Sequence, residues 1–118
     1  MYPTLLPSDR VEVEGVEPTD LKLGDLAVVD AGEVGCVIHR FFGWRDGDPP
    51  RLRTKGDASA KFDPPWPRAR LLGRVRLVER QGRRWTCGRA WLLAGAVRSL
   101  LVWCWAGINP RLRARGNR

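Results

Sequence analysis

The sequence predicts a mainly β domain, a small folded-over antiparallel sheet or partial barrel, with a C-terminal helix. Three observations lead there. Five short β-patterned segments, parted by Gly, Pro and Asp turn signals, run up to Glu79 without helical periodicity. A single long apolar run follows at 90–108. The 118 residues are enough for one modest core, and 43% hydrophobic content with 13 Gly and 9 Pro indicates a folded, turn-rich chain.

The elements follow in order. Residues 2–9 hold two prolines and read as an extended lead-in. Arg10-Val-Glu-Val-Glu14 alternates strictly, as a half-buried strand does. Residues 15–20 form a loop, and Gly24-Asp25 turns the chain into an apolar strand, Leu26 to Val29. After a turn at 31–35, the β-branched and aromatic stretch Gly35 to Phe42 predicts a third strand. A polar loop at 43–50 precedes a short strand, Arg51 to Lys55, that ends at Gly56-Asp57. The Pro-rich loop at 63–67 leads to a fifth strand over 71–79.

Ala90 to Ile108 carries one charge, Arg98, in nineteen residues. A bilayer span needs about 20 apolar residues, and a central Arg opposes insertion by roughly 2.5–3.5 kcal/mol. The run is therefore either a surface-lying or core-packed helix, or a span.

Charge divides the chain in two. All 13 acidic residues lie at or before Glu79, against twelve of the 21 basic ones. Residues 80–118 hold the other nine, all Arg, with four of the six Trp. We read residues 1–79 as a near-neutral β domain and 80–118 as a basic, Trp-rich tail. Trp inside an apolar run with Arg at its flanks fits a membrane interface better than nucleic acid, which needs bases and aromatics spread over a polar surface. A membrane surface is thus an expected partner and nucleic acid is not. Membrane association is the expected location, a cytoplasmic protein the alternative. No N-terminal signal peptide is expected, because Met1 runs into a Pro-containing polar stretch. Cys36, Cys87 and Cys104 show no metal or disulfide spacing and read as small buried hydrophobes. No metal and no cofactor are expected.

The chemistry rests on four boxes in fixed order. They are Met1-Tyr-Pro-Thr-Leu5 with Pro7-Ser-Asp-Arg-Val11, then Leu23-Gly-Asp-Leu-Ala-Val28, then Val37-Ile-His-Arg40, then Thr54-Lys-Gly-Asp-Ala-Ser59 with Asp63 beyond it. Leu72-Gly-Arg-Val75 closes the set. His39 is the only histidine, so a base working at neutral pH falls to it, and its strand can aim it rigidly. Asp57 and Asp63 lie in loops from which a carboxylate can reach back to the imidazole. Asp25 reads as a turn residue.

In these boxes the chain resembles the type I signal peptidases of the endoplasmic-reticulum and archaeal kind, over roughly residues 1–79. The resemblance implies the signal-peptidase fold and a Ser/His/Asp endopeptidase that cleaves leader or signal peptides. It makes His39 the base and Asp63 the triad acid, with Asp57 in support. It also implies an extended peptide substrate with small side chains near the cleaved bond. The related bacterial peptidases and self-cleaving repressors use Lys as base. Here His39 holds that strand, and Lys55 belongs to the Thr-Lys-Gly-Asp box.

In the family the nucleophilic serine directly precedes the methionine matching Met1. This implies a nucleophile ahead of Met1, with Met1, Tyr2 and Pro3 beside it, and a start placed at an internal methionine. The alternative is a catalytically dead, peptide-binding relative. Recruitment of Ser8 or Ser59 is a further, weaker route to a nucleophile.

Overall fold

The computed structural model describes residues 5–108, with side chains as far as Cys104. The chain forms β1 (Arg10–Glu14), β2 (Leu26–Asp30), β3 (Cys36–Arg45), β4 (Arg51–Lys55), β5 (Leu71–Arg80), β6 (Arg83–Thr86) and α1 (Arg89–Ile108). All pairings are antiparallel, in the order β1-β5-β2-β3-β4, with β6 also on β5. The sheet does not close. The protein is mainly β with one C-terminal helix, the class the alternation and turn signals predict.

Sheet order follows from residue type. The apolar β2 is buried along four of its five positions and sits centrally, between β5 and β3. The charged, alternating β1 takes an edge. β5 is long enough to pair β1 over 74–79 while β2 takes 71–74 and β6 takes 77–80. Where β1 meets β5, a Cβ on Gly73 would lie 2.3 Å from the Glu14 carbonyl oxygen, so only glycine lets the two backbones approach this closely.

β2 also divides the core. Leu26 and Val28 join Leu5, Val75, Val78 and Leu92 in one apolar cluster; Ala27 and Val29 join Leu21, Phe41 and Leu52 in the other. These alternate sets are the two faces of one strand. α1 covers the first cluster through Leu92, with Trp85 and Trp91 packed alongside.

One feature departs from the sequence reading, and the C-terminal helix agrees with it. β6 was expected to be tail, but it forms a hairpin with β5 through Gln81-Gly82, both at positive φ (50° and 79°). That is the two-residue turn geometry hairpins favour, with Gln where Asn or Asp is the usual signal. The long apolar run, Ala90 to Ile108 in the sequence, is helical from Arg89 and docks one face on the sheet, burying Leu92, Ala96 and Ser99. Among the described residues no helix is long and apolar enough to cross a membrane.

Candidate active site

Strand alternation turns Val37, His39 and Phe41 to one face of β3 and Ile38 and Arg40 to the other. His39 stands in register with Ala27, whose methyl leaves room for a ring. Its Nδ1 is hydrogen-bonded to Oδ2 of Asp63. Thr54 Oγ1 donates to the same oxygen at 2.6 Å, and Trp66 Nε1 donates to Thr54 Oγ1 at 3.1 Å.

The segment that presents Asp63 is clipped to β4. Asp63 N–H donates to Thr54 O (2.9 Å), and Leu52 and Trp66 exchange both backbone hydrogen bonds. A carboxylate held this way keeps the proton on Nδ1 and leaves Nε2 as the acceptor, the tautomer a general base needs. The ring rests against Gly56, where an added Cβ would lie 3.3 Å from Nε2. The His39 side chain is 26% exposed and that of Asp63 is 17%, so the pair stays accessible from solvent.

Asp57 does different work. Its carboxylate takes Arg40 Nε at 2.8 Å and Nη2 at 2.6 Å, and both side chains are essentially solvent-free. Arg40 Nη1 donates onward to the carbonyls of Gly24 and Leu92, at 2.9 Å each. The two aspartates of the sequence reading thus part company, one on the histidine and one on a buried arginine. Asp25 closes a turn by accepting Lys22 N–H (2.8 Å) and also accepts from Arg74 and Arg89.

Beside His39 lies an open, largely apolar cavity of about 450 Å³. Leu5, Leu6 and Val11 form one wall, and Val37, Ile38 and His39 the other. Asp9 fixes the first wall. It accepts Leu6 N–H at 2.8 Å and pairs bidentately with Arg80 at 2.8 and 2.7 Å. The Arg80 hydrogen bond holds the Asp9 carboxyl below the usual carboxylate range. Met1, Tyr2 and Pro3 lie outside the described residues. Ser8 is exposed, and the Ser59 hydroxyl donates to the Lys61 carbonyl.

The sequence reading placed Arg40, Thr54 and Lys55 in its boxes without a role of their own, and it did not single out Trp66 or Ser99. Lys55 and Ser99 are fully buried, and Lys55 Nζ donates to Ser99 Oγ (2.9 Å) and Gly56 O (3.0 Å). Burial pulls the Lys55 amine down to about 8. The available signal was Arg40 inside the apolar stretch of β3; Lys55 ends the basic strand β4, whose pattern does not mark it as buried. The cysteine reading needs correction: Cys36 and Cys104 are exposed, and only Cys87 is half-buried, its thiol pushed up to about 11 by desolvation. Cys36 begins β3, where the strand reaches solvent. Among the described residues no cluster of three His, Cys, Asp or Glu side chains is placed to hold a metal ion. Comparison of the chain with family models, curated proteins and solved structures finds no match to any of them.

Proposed function

We propose that the protein is a serine endopeptidase of the signal-peptidase kind, cleaving leader or signal peptides. The observation that carries this reading is the His39–Asp63–Thr54 chain beside an apolar cavity. A serine hydroxyl supplied directly ahead of Met1 attacks the peptide carbonyl. His39 Nε2 takes its proton and returns it to the leaving amine, and Asp63 holds the imidazolium. Backbone N–H groups beside the nucleophile stabilise the oxyanion. The substrate lies extended along the cavity between the leading segment and β3.

The test reads the gene in frame upstream of Met1 and assays the chain with those residues restored, on peptides with small side chains before the scissile bond. The expected result is serine next to Met1 and cleavage that its change to Ala abolishes. A stop codon or another residue there removes the enzyme reading. Peptide binding without cleavage would then be the function, because the same cavity serves an extended segment whether or not it is cut.

The same proposal sets the protein on a membrane surface. The outer face of α1 exposes Leu93, Val97 and Leu101, the last at 62%, beside an Arg-rich and acid-free stretch of sequence. Such a helix can lie in the interface with its arginines at anionic headgroups while its other face stays on the sheet. The protein is expected to float with anionic vesicles, less so at high salt. A Val97→Glu/Leu101→Glu double variant, altered only on the exposed face, is expected to stay at the bottom. Equal flotation of both proteins, or of neither, rules out this face as the lipid contact.

A further inference from the structure

The histidine pair and the C-terminal helix hold adjacent rungs of the β3–β4 ladder from opposite sides. The register pairs Arg40 with Lys55 and Phe41 with Thr54. Cross-strand partners share a face, so Arg40 and Lys55 lie on one side of the sheet and His39, Phe41 and Thr54 on the other. On the second side Thr54 holds Asp63, which holds His39. On the first side Arg40 Nη1 reaches the Leu92 carbonyl and Lys55 Nζ reaches Ser99 Oγ, both on α1. A Cβ at Gly95 would lie 2.4 Å from Arg40 Nη2, so the guanidinium lies directly against the helix backbone.

We propose that α1 is a positioning element for the His39–Asp63 pair, acting through Ser99 and Lys55 on Gly56 and through Leu92 and Arg40 on β3. The inference rests on the reading of His39 as the base. Lys55 is its pivot, because one ammonium group bonds both the helix hydroxyl and the carbonyl of Gly56, the residue that backs the imidazole.

Packing alone does not call for these residues. An apolar pair would dock a helix on a sheet at lower desolvation cost, whereas buried charge with fixed donors selects one docking position. The charged groups around Lys55 are Arg40 from β3 and Asp57 and Asp63 from the chain after β4, and α1 meets it with the neutral Ser99.

His39 is the only histidine, so its ring nitrogen and proton resonances are a single-site probe in the folded protein. Ser99→Thr and Ser99→Val add nearly the same volume and differ in the hydroxyl. The expected result is a hydrogen-bonded Nδ1–H signal that survives in Ser99→Thr and is lost or broadened in Ser99→Val, with both proteins folded by circular dichroism. Like behaviour of the two variants, changed or unchanged, overturns the proposal and leaves helix packing as the account.

Should Ser99→Val fail to fold, the wild-type protein decides. Its His39 ring shifts should step together with the Lys55 Nζ resonance as that amine loses its proton near pH 8. Ring shifts that ignore that titration overturn the proposal. No substrate is involved. A failed cleavage assay therefore sinks the base reading without touching this measurement, and an indifferent ring signal sinks the positioning role without touching cleavage.

Discussion

Asp57→Asn is expected to lower unfolding stability by about 3–5 kcal/mol, the range for a buried ion pair that loses one partner. The Asp57 side chain is 1% exposed and that of Arg40 is 0%. Two short hydrogen bonds and a buried ion pair with Arg40 rest on this carboxylate. The substitution keeps the shape and one acceptor but removes the carboxylate charge paired with a solvent-free guanidinium, which still donates to the carbonyls of Gly24 and Leu92.

Domains of this size are stable by roughly 5–15 kcal/mol, so the loss is a large share of the total. It should appear as a fall of about 10 °C or more in Tm and a matching drop in urea midpoint. Glu12→Gln is the control, since it breaks the exposed Arg76–Glu12 pair, where both side chains are about half in water. An Asp57→Asn protein that melts with the wild type would mean that the Arg40 charge is balanced elsewhere.

Much of the fold was legible because the β segments carry their own punctuation. Arg10–Glu14 alternates and is β1; Leu26 onward is apolar on both faces and becomes the central strand. Strand ends were less legible. β3 runs on to Arg45 and β5 to Arg80, because pairing with β4 and β6 extends a ladder past the point where hydrophobic pattern fades. β6 escaped notice because Arg83-Arg84 carries no apolar alternation and its turn uses Gln at positive φ.

The site was legible in part for a similar reason. His39 and Asp63 stand out as chemistry-bearing types in a β context, but which aspartate meets the histidine depends on how the loop after β4 returns to the strand. The Leu52–Trp66 bridge decides that, and it joins residues fourteen apart with no local signature. The Arg40 and Lys55 network was hidden because its partners on α1 are a backbone carbonyl, common to every residue, and one serine inside an apolar run.

Asp63→Asn should have the complementary effect, a loss of activity with the fold intact. In a chain carrying the proposed serine ahead of Met1, kcat on a cleavable peptide is expected to fall by about 10⁴-fold, the effect of giving a triad histidine an amide in place of its carboxylate. The physical reason lies at Nδ1. Asp63 Oδ2 accepts both from His39 and from Thr54 Oγ1. An amide nitrogen at that position donates to Nδ1 and forces the ring proton onto Nε2, where the base must be free. An amide oxygen there keeps the tautomer but no longer offers a negative charge to the imidazolium formed during attack.

Stability should hardly change, because the Asp63–His39 pair lies partly in solvent and no buried charge is left alone. Two Asp→Asn changes six positions apart would then separate cleanly. Asp57→Asn should lose the midpoint of unfolding and Asp63→Asn should lose kcat. An Asp63→Asn protein that keeps more than about a tenth of wild-type kcat would show that the carboxylate does not hold the base, since even a modest general-base contribution is worth 10²-fold or more.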